Sequence, residues 1–102
     1  MSLEKKYLKS RPVGKVTFRL PCDAAPEAEK VYLVGDFNAW RKDATPMTRL
    51  KNGEFKVSLD LEPGREYSFR YLIGGDTWEN DWEADKYVPS GIATEENSVV
   101  VV

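Results

Sequence analysis

The stretch from Val31 to Trp40 reads Val-Tyr-Leu-Val-Gly-Asp-Phe-Asn-Ala-Trp, and the rest of the chain is best interpreted outward from it. Its first four residues, Val31–Val34, are apolar at every position, which is typical of a central strand buried on both faces. The glycine, aspartate and asparagine that follow are residues that favour tight turns. The stretch therefore predicts a buried strand that runs into a sharp turn, and the turn ends at the large ring of Trp40.

On both sides of this stretch, apolar and polar residues alternate with the period of two that marks a half-buried strand. The alternating apolar positions form three runs: Val16, Phe18 and Leu20; Phe55, Val57, Leu59 and Leu61; and Tyr67, Phe69, Tyr71 and Ile73. A short strand through Trp78 and a closing strand at Ser98–Val102 complete the set. About seven short strands at this spacing predict an all-β fold, an antiparallel β-sandwich of the immunoglobulin-like kind.

Three glycine-containing pairs predict the turns between these strands. Asn52-Gly53 fits a two-residue type I′ hairpin, in which both positions take a positive φ. Pro63-Gly64 fits the centre of a type II turn, which needs a positive φ at its second position. Gly74-Gly75 predicts a tight reversal before the short strand through Trp78.

Length, composition and charge restrict the classes of protein to which the chain can belong. With 102 residues, of which 41% are hydrophobic and 31% charged, it has the size of one folded domain. We place this domain at residues 13–102, after an N-terminal extension at residues 1–12. Apolar runs such as Val99–Val102 are too short to cross a membrane, and no secretory signal pattern follows the N-terminus.

Charge and cysteine usage bear on partners and location. The formal net charge is −2, and Lys and Arg alternate with Asp and Glu, which argues against nucleic acid or an anionic membrane as a partner. The single cysteine, Cys22, cannot form an internal disulfide, and this favours a cytoplasmic location.

The residues needed for most catalytic mechanisms are missing. The sequence has no histidine, so the commonest general base and metal ligand is absent, and Cys22 has no histidine to activate it. Two carboxylates would suffice for glycoside hydrolysis. However, the acidic residues after Gly75 flank a turn, where a solvated edge explains them: Asp76, Glu79, Asp81, Glu83 and Asp85. We therefore expect a non-catalytic module with no cofactor and no metal.

Three tryptophans, Trp40, Trp78 and Trp82, lie beside charged or small polar residues rather than in strand cores. Rings in such positions either cap the end of a sandwich or offer a flat platform. A sugar ring presents C–H groups that suit the negative π face, and each stack contributes about 1 kcal/mol. A sugar-binding surface is thus one hypothesis, and a structural role for the rings is the other.

Three segments together carry a resemblance to a known family: Val31–Trp40, Pro46-Met47 and Leu61–Tyr71. From about Val13 to the C-terminus, the chain resembles the early-set domains of carbohydrate-binding module family 48. That family includes the N-terminal domains of isoamylases and glycogen-branching enzymes and the glycogen-binding domain of the AMP-activated kinase β subunit. The resemblance implies an early-set sandwich that binds α-1,4-glucans, such as glycogen, starch or maltooligosaccharides, without catalysis.

The resemblance also implies individual carbohydrate-binding residues. They are Trp40 and Trp78 as stacking rings, Arg70 as a contact to sugar hydroxyls, and Asn97 as a hydrogen-bonding residue. The alternation of the Tyr67–Ile73 run independently directs Arg70 to the non-core face of its strand.

Two neighbouring turn residues are expected to be structural. Phe37 should plug the sandwich, and Asn38 should tolerate the left-handed αL conformation while bonding to its own backbone.

Two alternatives to glucan binding stay open. The same rings suit a protein-interaction or scaffold domain that meets a glycan-active enzyme or a regulatory protein. The chain also suits an accessory domain of a glycan-active enzyme with little sugar affinity of its own, as several early-set domains of debranching and branching enzymes are.

Overall fold

The computed structural model describes residues 3–10, 12–75, 77–90 and 95–102. These residues form nine β-strands and two short 3₁₀ turns, Cys22–Ala24 and Asp36–Asn38. The strands are β1 (Leu3–Tyr7), β2 (Gly14–Leu20), β3 (Val31–Gly35), β4 (Thr48–Arg49), β5 (Phe55–Leu61), β6 (Glu66–Ile73), β7 (Thr77–Glu79), β8 (Lys86–Pro89) and β9 (Glu96–Val101).

The strands build two sheets in which every pairing is antiparallel. The first sheet has the order β1-β2-β5-β4, and the second has the order β3-β6-β9-β8, with β7 paired to β6. The predicted all-β antiparallel sandwich is confirmed. The described residues contain nine strands rather than about seven because β1, β4 and β8 are short, mostly polar edge strands, which alternation marks poorly.

The core between the sheets is rich in aromatic rings. Phe18 of β2 meets Phe69 of β6 edge-on, with ring centroids 5.0 Å apart, and Phe69 meets Tyr71 at 5.7 Å. Phe37 reaches in from the 3₁₀ turn, and its centroid lies 5.6 Å from that of Phe18. Phe37 therefore plugs the sandwich, as expected, and anchors the turn that leads to Trp40.

The strand β3 lies at the edge of its sheet, so the prediction of a central strand was wrong in this respect. Its apolar residues are buried because the segment after Asp43 covers the free edge. The backbone N–H of Leu33 donates to the carbonyl of Thr45 at 2.9 Å, and that of Met47 donates to Val31 at 2.8 Å. The chain thus closes its own sheet edge beside the turn.

The outer face of the second sheet also holds buried apolar residues. Alternation along β6 directs Arg70 and Leu72 away from the core, and their cross-strand partners Val34 and Trp78 share this face. Val34 is 0% exposed, and Leu72 and Val99 are each 2% exposed. Side chains and loops must therefore cover this face.

The N-terminal residues join the first sheet. Leu3–Tyr7, inside the segment predicted as an extension, pairs with β2 from Leu3 opposite Phe18 to Tyr7 opposite Gly14. The division of the chain at residue 13 stays a prediction.

The turn at Asn52-Gly53 differs from the predicted type I′ hairpin. Gly53 has a φ of 91°, but Asn52 does not enter the positive-φ region. The Gly53 N–H donates to the carbonyl of Leu50 at 3.0 Å, and the Leu50 N–H donates to Glu54 at 2.7 Å. This is a three-residue loop, a type I turn followed by a left-handed glycine. Asn52 instead accepts a hydrogen bond from the N–H of Glu54 through its side chain.

The other two predicted turns have the expected glycine geometry. Gly64 has a φ of 80°, as the second position of a type II turn requires, and Gly74 and Gly75 have φ values of 66° and 89°. Within the described residues, no helix is long and apolar enough to cross a membrane.

Candidate functional site

The turn after β3 takes an unusual backbone path. Ala39 and Trp40 both have a φ of 58°, in the left-handed region that non-glycine residues avoid at about 1–2 kcal/mol each. The expectation that Asn38 would take this conformation was wrong. Asn38 instead binds the turn together, because its Oδ1 accepts from the Gly35 N–H at 3.1 Å and its Nδ2 donates to the carbonyl of Leu33 at 2.9 Å. The strain therefore falls on the two residues that follow it.

Gly35 is required by close packing rather than by its own backbone angles, which are extended. A Cβ at this position would lie 2.5 Å from the carbonyl oxygen of Ser68 and 2.8 Å from the Cβ of Phe69. The glycine lets β3 and the turn approach β6 closely. As a result, the turn residues lie beside the outward-facing side chains of β6.

Asp36 holds the ring of Trp40 in place. The indole Nε1 of Trp40 donates to Asp36 Oδ1 at 2.8 Å, and the backbone N–H of Ser68 donates to the other carboxylate oxygen at 2.8 Å. Both contacts are charge-assisted. Trp40 is 36% exposed, so a fixed ring keeps a substantial surface open to solvent.

Trp78 lies on the same outer face, on the opposite edge of β6 from β3. Its strand β7 pairs with β6 so that Trp78 stands opposite Leu72. The ring is 38% exposed, and the Nζ of Lys42 lies 6.0 Å from its centroid. The second ring is therefore also held on the sheet with part of its surface open.

Arg70 is fixed by the start of β9. Its Nε donates to Asn97 Oδ1 at 2.8 Å and its Nη2 donates to the carbonyl of Glu96 at 2.9 Å. Its Nη1 lies 3.5 Å from Glu95 Oε2. These contacts leave only 13% of the side chain exposed, and they tie Asn97 to the guanidinium.

Asn80 links the strands that carry Trp78 and Asn97. Its Oδ1 accepts from both the backbone N–H and the hydroxyl of Ser98, at 3.0 and 2.8 Å, and its Nδ2 donates to the carbonyl of Glu96 at 2.9 Å. Because β7 and β9 both pair with the same edge of β6, no ladder joins them directly. One side-chain amide takes the place of that ladder.

These side chains border an open groove of about 600 Å³, which is within the size range of small-ligand sites. The residues that line it are Asp36, Trp40, Ser68, Arg70, Trp78, Ser90, Glu95 and Asn97. All four residues predicted as a site, Trp40, Arg70, Trp78 and Asn97, line this one groove. Their role in binding carbohydrate stays a prediction.

Comparison with known families agrees with this architecture. Residues 5–88 match the family model described as carbohydrate-binding module 48 (isoamylase N-terminal domain). The chain belongs to carbohydrate-binding module family 48. The matched part of this family-48 chain includes the groove residues Trp40, Arg70 and Trp78.

Curated relatives of this family-48 chain include three glucan branching enzymes. The 1,4-alpha-glucan branching enzyme GlgB of Photobacterium profundum is 38% identical over 60 residues, which are 58% of this chain and 8% of the relative. The 1,4-alpha-glucan-branching enzyme of Emericella nidulans is 41% identical over 51 residues, 50% of this chain and 7% of the relative. GlgB of Aquifex aeolicus is 38% identical over 58 residues, 56% and 9% respectively. The chain thus spans less than a tenth of the length of these relatives.

Four groove residues of the family-48 module were not predicted. Asp36 and Ser68 have signals that could have found them: Asp36 precedes Trp40 by four residues, and Ser68 has the same strand parity as Arg70. Ser90 and Glu95 lie outside the strands, in a part of the sequence without periodicity, so no local pattern marks them.

The third tryptophan lies apart from the groove. Trp82 is 53% exposed and does not line the groove, whereas its neighbour Asp81 is only 2% exposed. The expectation that the acidic residues of this segment form a solvated edge is therefore wrong for Asp81, and Asp76 lies outside the described residues. The hydroxyl of Tyr71 donates to Asp81 Oδ2 at 2.7 Å. Burial, and next the charge of Asp81, raise the pKa of Tyr71 well above its ordinary value.

Proposed function

We propose that this chain binds α-1,4-glucan chains of the glycogen, starch or maltooligosaccharide type in the groove on its second sheet, without catalysis. The observation that carries the proposal is that Trp40 and Trp78, two partly exposed rings from distant parts of the sequence, border one groove with Arg70 and Asn97 between them. The names of the branching-enzyme relatives support an α-1,4-glucan as the ligand. We expect the protein to act in the cytoplasm.

Each side chain has a distinct role in this proposal. The two rings stack on sugar faces, and each stack contributes about 1 kcal/mol. Asn97 uses its Oδ1 to hold Arg70, so its Nδ2 is the group that meets a sugar hydroxyl. A few stacks and hydrogen bonds give an affinity that is roughly micromolar to millimolar. The site is thus suited to a long polymer that offers many equivalent binding positions.

The backbone strain and hydrogen bonds around Trp40 support a stacking ring that is held in position before the ligand binds. The Asp36 carboxylate fixes the indole before any ligand arrives, so little side-chain freedom is lost when a sugar stacks on it. The Trp40 ring is thus ordered when the chain folds, not when the ligand binds. Replacing it with alanine therefore removes a stacking contact that costs little side-chain entropy.

A titration with maltoheptaose tests the proposal by calorimetry and tryptophan fluorescence. We expect saturable binding, and Trp40→Ala or Trp78→Ala should weaken it by about five- to tenfold, as the loss of one stack predicts. Trp82→Ala is the matched control, because this tryptophan is exposed but lies outside the groove. Cellohexaose, a β-linked oligomer of the same sugar, should bind more weakly.

No binding of maltoheptaose at millimolar concentration by the folded protein would contradict the proposal. So would an equal loss of affinity in Trp40→Ala and Trp82→Ala, since the groove would then have no special part.

A second function is favoured by the length of the relatives. Because this chain matches less than a tenth of each branching enzyme, it also fits an accessory domain that contacts a catalytic domain. In that case Trp82 and Tyr87, which are 53% and 40% exposed and lie outside the groove, are the natural contact rings. A folded chain that leaves maltoheptaose unbound and is captured by a branching enzyme through Trp82 would favour this second function.

A further inference from the structure

The groove carries more negative than positive charge. Two of its lining side chains are carboxylates, Asp36 and Glu95, and one is a cation, Arg70. A smaller hollow of about 190 Å³ adjoins it beside Arg70 and adds Glu79 and Glu96 to the same side. Lys42, whose Nζ lies 6.0 Å from the centroid of Trp78, adds a second cation beside Arg70. Among the described residues, a ligand in the groove still meets more acidic than basic groups.

Protein oxygens contact each of the three nitrogens of the Arg70 guanidinium. Its three nitrogens face the side-chain oxygen of Asn97, the carbonyl of Glu96 and the carboxylate of Glu95, at 2.8, 2.9 and 3.5 Å. A phosphate is bound strongly by arginine when two parallel N–H groups point at it. These contacts use at most three of the five N–H groups of Arg70, and the Glu95 carboxylate lies against Nη1, so a phosphate that approached the remaining N–H groups would also approach Glu95.

The two groove carboxylates differ in the contacts that they make within the protein. Asp36 uses one oxygen to hold the Trp40 ring and the other to hold the Ser68 backbone. The Glu95 side chain is 56% exposed, and among the described residues its carboxylate has one long ion-pair contact, with Arg70. Glu95 is therefore the carboxylate best placed to act on the charge of a ligand.

We propose that the groove discriminates against phosphorylated α-glucans in favour of uncharged ones, and that Glu95 is the specificity-determining residue. The inference rests on the proposed function, because it concerns glucan chains bound in the same groove. Neutral sugar hydroxyls donate hydrogen bonds to a carboxylate, so an uncharged chain loses nothing by meeting Glu95. A phosphate monoester is mostly the dianion at neutral pH, so its oxygens mainly accept hydrogen bonds and its charge is repelled by the carboxylate.

The size of the discrimination follows from the charges. A phosphate monoester carries about −1.5 to −2 at pH 7, so a carboxylate within about 7 Å of it weakens binding by about tenfold at low salt. Because salt screens this repulsion, the difference should shrink at high ionic strength.

The test compares maltoheptaose with maltoheptaose carrying one 6-phosphate group, each titrated into the whole chain at low and high salt. The wild-type protein should bind the phosphorylated oligomer about tenfold more weakly at low salt. Glu95→Gln keeps the shape of the side chain but removes its charge, so it should restore most of that loss, read as the ratio of the affinities for the two oligomers measured on the same variant. The matched control is Glu4→Gln, because Glu4 also pairs with an arginine, Arg19, at 2.8 Å, but on the other sheet.

The outcomes separate the inference from the proposed function. Equal or tighter binding of the phosphorylated oligomer, with maltoheptaose still bound, would overturn the discrimination alone. The same gain in Glu4→Gln as in Glu95→Gln would assign the effect to net charge and overturn the role of Glu95. Failure of the wild-type protein to bind maltoheptaose would overturn the proposed function, and the inference with it.

Discussion

The two outer faces of the sandwich have the same backbone geometry but differ in what covers them. On the first sheet, polar side chains face one another: Thr17 and Ser58 hydrogen-bond at 2.9 Å, and the Nε of Arg19 lies 2.8 Å from Glu4 Oε1 in an ion pair. On the second sheet, Val34 and Leu72 are buried beneath larger side chains. The polar face of the first sheet can contact water directly, whereas the apolar residues on the second sheet must be covered by aromatic rings and loops. The groove results from the way these rings and loops cover that face.

The largest effect on stability should come from the buried apolar residues on the outer face of the second sheet. Leu72 is 2% exposed and stands opposite Trp78, so Leu72→Ala should leave a cavity and lower the free energy of unfolding by about 3 kcal/mol. Urea denaturation measures this loss. A change below about 1 kcal/mol would show that the outer face is not a second packed layer.

A smaller effect is expected at the support of Trp40. Asp36→Asn removes the charge that assists two hydrogen bonds, so stability should fall by about 1–2 kcal/mol. The emission spectrum of Trp40 should also shift, since its indole N–H loses a carboxylate acceptor. Introducing Asp36→Asn into a Trp40→Phe variant separates the two effects. The spectral change should then vanish because the indole is gone, whereas the loss of stability should partly remain.

A gain of about 1 kcal/mol is expected when strain is relieved next to Trp40. Ala39 has a φ of 58°, which glycine adopts without penalty, so Ala39→Gly should raise stability slightly. Thermal unfolding provides the measurement, and a lower midpoint temperature would contradict the strain. Ala44→Gly is a suitable control in the next loop, where no residue has a positive φ and where glycine should give no gain.

The smallest effect belongs to the first face. Glu4→Gln weakens an exposed ion pair with Arg19 and should change stability by less than about 0.5 kcal/mol. Chemical denaturation of the variant beside Leu72→Ala compares the two faces directly. A loss similar to that of Leu72→Ala would remove the distinction between them.

The sequence was sufficient for the strands that alternate, and it named some of the groove residues, Trp40, Arg70, Trp78 and Asn97, but not the others. Parity placed Arg70 on the outer face, whereas Trp40, Trp78 and Asn97 were named by the resemblance to the family. The sequence was not sufficient for β1 or for the edge position of β3, because edge strands are defined by long-range pairing rather than by local pattern.

The details of the turns depended on side-chain contacts that no short motif specifies. Asn38 was expected to bond to its own backbone, but its amide bonds to the backbone of Gly35 and Leu33, and the left-handed geometry falls on Ala39 and Trp40. Asp36 gained its role only when β6 came within hydrogen-bonding distance. The contact between Asp36 and Ser68 joins residues that are 32 positions apart, so it is set by the complete fold.

The arrangement of β7 and β9 along one edge of β6 has a consequence for local unfolding. Trp40 lies on a turn tied to β3 and β6 by several hydrogen bonds, whereas Trp78 belongs to a three-residue strand joined to its neighbour β9 through the amide of Asn80. The segment with few backbone partners should open more often than the rest of the sheet. Amide hydrogen exchange would then divide the groove into a slowly exchanging wall around Trp40 and a rapidly exchanging wall around Trp78.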